Sequence, residues 1–289
     1  KHHGNYDLNT ILDAIDMYMG YFQANYRWGY STPYFIAGIY CTHVNNIAYL
    51  LNNHRANAKD MNNIIGAMSL EDRRHYDYDL LENKYLEYCS QSINDEKAVR
   101  TIAENIGGRP VLLVLPGKSV IEQYDKIKEY IVAEEPVVIG VNAIIEGYEY
   151  SYLFFGNHTR YDYAKEIHQK QFKANKKIIA SNIKVDAQEN EWIINFNQLI
   201  KRGWEHFDNS GLMCLRLMNR LRVQKVLIAG FDGFGNSYEE SYADLSLPHI
   251  NPGKKWEELN EEIRDMLADF RIMTEGRMEI MFLTASVYE

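Results

Sequence analysis

The chain has 289 residues, enough for one large or two ordinary domains with proper cores. Its apolar content of 46% and charged content of 25% are those of a globular protein, and a net charge of −9 argues against a nucleic-acid binder, which needs a basic face. The cysteines Cys41, Cys89 and Cys214 are odd in number and far apart, which points to a reducing cytoplasm rather than a disulfide framework or zinc site, and no apolar run of about 18 residues predicts a membrane span.

The chain opens on Lys1-His2-His3-Gly4 without a Met. A tag remnant is one reading; the favoured one is a native stretch, so that the chain is a piece of a longer protein. Residues 5–105 then carry helical periodicity. Leu8, Ile11, Leu12, Ile15, Met19 and Phe22 form one apolar stripe, and Ile36, Ile39, Val44, Ile47, Leu50 and Leu51 predict a second, buried helix after Pro33. Lys59–Met68 and Tyr78–Cys89 predict two more. Tyr18, Tyr21, Tyr26, Tyr30, Tyr34 and Tyr40 crowd one stretch; they read as rings packed between helices, or else as an interface with a missing partner domain. The polar segment Gln91–Gly108 reads as a linker.

From Arg109 the period changes. Short apolar runs at Val111–Leu115, Val137–Val141, Leu153–Phe155, Ile178–Ala180, Val226–Ala229 and Glu279–Leu283 predict buried strands. They alternate with helical stretches at Val120–Val132, Asp162–Lys173, Leu212–Leu221 and Trp256–Phe270. Alternation of this kind predicts an α/β domain over 106–289, Rossmann-like, with a mostly parallel sheet and helices on both faces, behind an N-terminal helical region over 1–105.

The strand runs give way to small and polar residues. Gly117, Lys118 and Ser119 come after the first run, Asn142 after the second, Asn157 after the third, Ser181 and Asn182 after the fourth, Gly230 and Asp232 after the fifth. Ligands of open α/β sheets bind outside the carboxyl ends of the strands, so these residues are candidates for holding a nucleotide. Pro116-Gly117-Lys118-Ser119 would offer backbone N–H groups to a phosphate at a helix start. It lacks the first glycine of a Walker A loop, and an ordinary turn with Ser119 as cap is the alternative. Asn209, Ser210 and Gly211 open the next strong helix and make a second anion site, or a plain cap. Arg216 and Arg220 on that helix read as a solvated face. Asp232 suits a ribose hydroxyl or a metal, and His249 is a loop residue whose ordinary pKa suits proton transfer. The run Tyr238–Tyr242 between them could form a mobile lid.

Asn209-Ser210-Gly211, a helix, and then Val226-Leu227-Ile228-Ala229-Gly230-Phe231-Asp232 resemble bacterial sialyltransferases that use a CMP-activated donor, and also the archaeal-type 6-hydroxymethylpterin diphosphokinases. The resemblance covers about residues 109–289. It implies a nucleotide or CMP-sugar ligand, with phosphate contacts at Gly117, Ser119, Asn142, Ser210 and Gly211 and with His249 as the base of an inverting transfer. Where those families read Gly-x-Gly-Pro-Ser, this chain has Leu115-Pro116-Gly117-Lys118-Ser119. No covalently bound cofactor is expected, and the need for Mg²⁺ is left open, since some sialyltransferases of this shape work without metal.

Asn5-Tyr6-Asp7-Leu8 followed by Pro33-Tyr34-Phe35-Ile36-Ala37-Gly38-Ile39-Tyr40 resembles the helical region after the barrel of pyruvate-type aldolases, such as the 4-hydroxy-2-oxovalerate aldolases and the 3-hydroxy-3-methylglutaryl-CoA lyase superfamily. The metal-binding and catalytic residues of those enzymes lie in a barrel upstream that is not in this chain, so no aldolase activity is expected from it alone. The resemblance implies that a Tyr reaches toward the barrel's open end, and Tyr40 is the candidate. Together the two resemblances imply the C-terminal part of an aldolase joined to a nucleotide-sugar domain, for surface-polysaccharide synthesis. Alternatives are a non-catalytic nucleotide sensor or a structural domain that builds a homo-oligomer.

Overall fold

The structure is a computed structural model that describes residues 32–54, 56–89, 93–185, 188–204, 209–235, 237, 241–248 and 255–289. It divides into two compact units, Lys1–Lys84 and Tyr85–Glu289. The first unit is helical as far as it is described: α1 (Thr32–Tyr40), α2 (Val44–His54), α3 (Ala58–Ala67), α4 (Leu70–Arg74) and α5 (Tyr78–Cys89), which runs across the division.

Ile36 to Leu51 is two helices, not one. The break falls at Cys41, whose φ is 49°, and it is held by polar groups. Thr42 Oγ1 donates to the Arg73 carbonyl at 2.7 Å, and the buried Asn46 amide donates to the Arg73 and His75 carbonyls at 3.1 Å each. With the His43 N–H, which also donates to the Arg73 carbonyl at 2.7 Å, these bonds satisfy carbonyls at the end of α4. Ile47, Leu50, Met61, Ile64 and Ile65 form the dry interior of this unit. Asn57 and Asp60 cap α3 reciprocally, through bonds of 3.0 and 3.2 Å. The helix expected over residues 8–22 and the tyrosines Tyr18, Tyr21, Tyr26 and Tyr30 lie outside the described residues.

The second unit contains a helix where a linker was expected. Glu96–Ile106 is α6, with Ile102 and Ile106 buried and Gly107 closing its C-terminus at a φ of 62°. Asp95, just before it, accepts two bonds from the Arg220 guanidinium at 2.7 and 2.8 Å and one from the Asn195 N–H at 2.8 Å. The segment is therefore tied into the α/β unit, and the compact unit starts well before residue 106.

The sheet has seven strands: β1 (Val111–Val114), β2 (Val137–Val141), β3 (Tyr152–Phe155), β4 (Lys176–Ala180), β5 (Glu191–Ile194), β6 (Lys225–Ala229) and β7 (Glu279–Phe282), in the order β5-β4-β3-β2-β1-β6-β7. Every pairing is parallel. The architecture is α/β and Rossmann-like, as the alternating pattern predicts. β5, Glu-Trp-Ile-Ile, is the strand that the pattern misses; it begins on a charge, as the predicted β7 also does. That charge, Glu191, lies 3.4 Å from the buried Lys177 of β4.

The described connecting helices are α7 (Ser119–Glu122), α8 (Tyr124–Glu134), α9 (His158–Ile167), α10 (Gln169–Ala174), α11 (Ser210–Arg220) and α12 (Trp256–Thr274). Two expected single helices are thus broken pairs, at Gln123 and at His168. Ile127 of α8 packs on Leu112, Val138 and Leu227, and Tyr161 and Phe172 of α9 and α10 pack on Leu153, Phe155 and Ile179. Register places all of these strand residues on one face. The connections through α11 and α12 run across the sheet in the reverse direction, and the right-handed crossover rule then sends them to the other face. That face, with Leu113, Ile139, Phe154, Ile178 and Ile228, is equally dry.

Candidate functional site

The strand order reverses at β1. The chain leaves β1 toward β2 and β5, then returns to lay β6 along the opposite edge of β1. Loops that leave such a switch point diverge and open a crevice at the carboxyl ends of the strands. Here that crevice is a cleft of about 940 Å³, its open mouth included.

The β1 and β6 loops form one wall and are stitched together. Leu115 N–H donates to the Ala229 carbonyl at 2.8 Å, and Gly117 N–H to the Gly230 carbonyl at 2.9 Å. Gly230 has a φ of 76°, and a Cβ there would meet the Leu115 oxygen at 2.2 Å, so only glycine fits. A Cβ on Gly117 would strike the Gly230 oxygen at 2.5 Å and an Asp232 carboxylate oxygen at 2.6 Å. Asp232 accepts from the Ser119 N–H at 2.8 Å and from the Ser119 hydroxyl. Thr284 joins them, with its Oγ1 2.8 Å from Ser119 Oγ and accepting from Gly230 N–H at 2.9 Å. Burial raises the Asp232 pKa above the usual carboxylate value, while its bonds to Ser119 pull the other way. The start of α7 is therefore occupied by a carboxylate of the protein itself. Lys118 and Ser119 do not line the cleft.

The opposite wall comes from the β2 and β3 ends and the start of α11. Asn142, at a φ of 53° that Asn tolerates well, accepts from the Gly156 N–H at 2.8 Å and donates to the Ser210 hydroxyl. It thereby fixes α11 against two strand ends. Asn209 caps α11 through bonds from Gly211 N–H at 3.0 Å and Leu212 N–H at 3.2 Å. Ser210 Oγ accepts from Asn142 and donates to no acceptor among the described residues. Asn157 caps α9, accepting from the Arg160 N–H at 3.2 Å.

Arg160 is the feature that the sequence patterns do not single out. Its side chain lines the cleft yet is only 2% exposed. The guanidinium carbon sits 4.9 Å from the centroid of the Tyr242 ring. Among the described residues, its Nε and Nη1 have no hydrogen-bond partner. Burial raises the Tyr242 pKa, and the neighbouring guanidinium works against that rise. The signal that could have found Arg160 is Asn157-His158-Thr159-Arg160: a cap followed by a cation in the first helical turn, directly at a strand's carboxyl end.

Aromatic residues close the cleft beside β6. Phe231 packs on Tyr288 at 4.7 Å, and Phe234 stacks on Trp256 at 5.4 Å and 14°. Asn260 locks this corner, accepting from Phe234 N–H at 2.8 Å and from the Tyr288 hydroxyl at 2.7 Å.

Of the residues proposed from sequence, Gly117, Asn142, Asn157, Asn209, Ser210, Gly211, Gly230 and Asp232 all line this cleft. Ser181 and Asn182 do not: Ser181 Oγ accepts from Phe196 N–H at 3.0 Å, and the Asn182 amide donates to the Gly156 carbonyl at 3.0 Å. Tyr40 lies in the helical unit, where its hydroxyl donates to Asn62 Oδ1 at 2.9 Å. His249 and Tyr238 to Glu240 of the expected lid lie outside the described residues. At the end of that run Ala243 N–H is anchored to the Pro116 carbonyl at 2.8 Å. Arg216 and Arg220, read as solvated, are respectively buried and paired with Asp95. The described residues contain no cluster of three or more His, Cys, Asp or Glu side chains arranged to hold a metal, and no described helix is long and apolar enough to cross a membrane. Comparison with family models, with curated proteins and with solved structures returned no match.

Proposed function

We propose that the α/β unit binds a nucleotide or nucleotide-sugar in the switch-point cleft, and that the chain is the C-terminal part of a pyruvate-type aldolase in which this unit serves as a sialyltransferase-like transferase domain. The observation that carries the binding reading is the convergence of α9 and α11 N-termini on a cleft beside the glycines at 117, 211 and 230. Helix N-termini favour negative charge, and glycines let the backbone approach a phosphate closely. The aromatic corner at Phe231, Phe234 and Tyr288 supplies flat apolar surface for a base or sugar ring. In the transfer, His249 would take the proton of the acceptor hydroxyl.

One observation favours a second reading, a nucleotide sensor. The acid among the described lining residues, Asp232, has both oxygens engaged by Ser119, so the described cleft supports binding without a described base.

Thermal unfolding of the chain against CMP, CMP-sialic acid, UDP-sugars, GDP-sugars and ATP, with and without Mg²⁺, tests the binding reading. A ligand at about 100 times its Kd adds roughly 2.7 kcal/mol, a rise of several degrees. No rise with any nucleotide would sink it. His249→Ala separates the two readings: transfer lost with binding intact marks a transferase, whereas binding without transfer in the unmodified chain marks a sensor.

A further inference from the structure

We infer that Arg160 is the anion-reading residue of the cleft and that the ligand presents an oxyanion, a phosphate or a carboxylate, to its guanidinium and to the hydroxyl of Ser210. The inference deepens the nucleotide reading by naming the chemical group that the cleft recognises, and its test is arranged so that the two can fail separately.

A guanidinium keeps its charge at any pH at which the protein is folded, and its N–H donors cannot be silenced by deprotonation. Burying such donors without acceptors is costly, so buried charges normally come paired. Arg160 breaks that pattern. It is 2% exposed, and its Nε and Nη1 have no partner among the described residues. The acid lining the described cleft, Asp232, faces Ser119. The nearby Asp244 accepts from Tyr163 at 2.9 Å and from Ser246 N–H at 2.9 Å.

The surroundings hold the guanidinium in place. Its own backbone N–H is capped by Asn157, its Cζ lies over the Tyr242 ring, and a hydrogen bond joins the two side chains, which leaves Nε and Nη1 as the spare donors. On the same wall, Ser210 is fixed by Asn142 through its acceptor lone pair, which leaves its O–H proton for a ligand. An oxyanion has the several oxygens needed to take donors from both residues at once. Unsatisfied donors in a rigid frame, at the N-terminal turns of α9 and α11, are what a site ready for such a group requires.

The test compares the chain with Arg160→Gln and Arg160→Lys by titration calorimetry, using CMP, cytidine, inorganic pyrophosphate and free sialic acid, together with the unfolding temperature of each protein without ligand. The expected result is that the unmodified chain binds at least one of the three anions, that Arg160→Gln binds it roughly 10- to 100-fold more weakly, and that unliganded Arg160→Gln melts no lower than the unmodified chain. Loss confined to CMP and pyrophosphate identifies the oxyanion as phosphate; loss confined to sialic acid identifies it as carboxylate. Pyrophosphate binding that depends on Arg160, with CMP bound no better and no unfolding shift from UDP-sugars, GDP-sugars or ATP, upholds the inference while the nucleotide reading falls. CMP bound equally by all three proteins overturns the inference and leaves the nucleotide reading standing. No anion bound by the unmodified chain overturns the inference, and the nucleotide reading falls with it when UDP-sugars, GDP-sugars and ATP also leave the unfolding temperature unchanged. Should Arg160→Gln not fold, Arg160→Lys, which keeps charge and length but loses the planar fork, is read in the same way.

Discussion

On the β1/β6 side of the cleft the polar side chains close on one another: Ser119 donates to Asp232, and Thr284 bridges Ser119 and Gly230. On the β3/α11 side Asn142 and Asn209 hold the backbone, while Arg160 and Ser210 retain donors that no described residue accepts. Both walls consist of a strand end, a small polar loop and a helix start, and in the sequence they look alike. The difference teaches that a Gly/Ser turn after a strand is ambiguous until its acceptors are counted. A wall whose donors are satisfied internally is scaffold, and a wall whose donors are left over is where a ligand completes the structure.

Breaking the closed wall should give the largest effect. Gly230→Ala places a Cβ 2.2 Å from the Leu115 oxygen at a φ of +76°. We expect at least about 3 kcal/mol of destabilisation in denaturant unfolding, and a loss below about 1 kcal/mol would show that the stitch is loose. Next is the far end of the open wall, where Asp95 holds Arg220 and hence α11. Asp95→Asn should cost about 2 kcal/mol and weaken ligand binding as well, because α11 carries Ser210. The Arg220 guanidinium and the Asn195 N–H hold the Asp95 pKa below the usual carboxylate value against the opposing effect of burial, the largest single influence. A folded-state pKa below the unfolded value means that stability is present above the unfolded value, near pH 3.9, and is lost as pH falls through it toward the folded one. Acid unfolding of the unmodified chain should therefore steepen below about pH 4, and Asp95→Asn should flatten that limb. Smallest is Asn209→Ala, which removes the α11 cap for about 1 kcal/mol and leaves the closed wall untouched. An equal loss of anion affinity in Asn209→Ala and Arg160→Gln would mean that helix placement, not the guanidinium, governs binding.

The strand runs were readable because buried parallel strands are continuous apolar segments, as at Val111, Val137 and Val226. Their carboxyl ends could be predicted to converge, since a parallel sheet puts them on one edge. Two things were hidden. β5 owes its place to a long-range partner, Lys177 for Glu191, which local periodicity does not encode, whereas α6 is legible in Val99, Ile102, Ala103 and Ile106 at helical spacing within a polar stretch. The state of the α7 start depended on Asp232, 113 residues away. Arg160 is hard to see for the opposite reason: a lone Arg in a polar helix reads as solvated, and its place in the first turn after the Asn157 cap is the local hint that burial then bears out.

The returning strand β6 also makes the sheet depend on its late sequence. In a chain that reaches only to β5, β1 has a bare parallel edge that residues 225–229 would otherwise cover. Contacts that span so much chain are slow to form, because the loop must be closed before pairing rewards it. An unpaired, fully apolar edge is in the meantime open to strangers. The Asp232–Ser119 stitch needs β6 beside β1, so a chain without β6 has no closed cleft wall. Any chain truncated before residue 225 should be prone to aggregation rather than partly active.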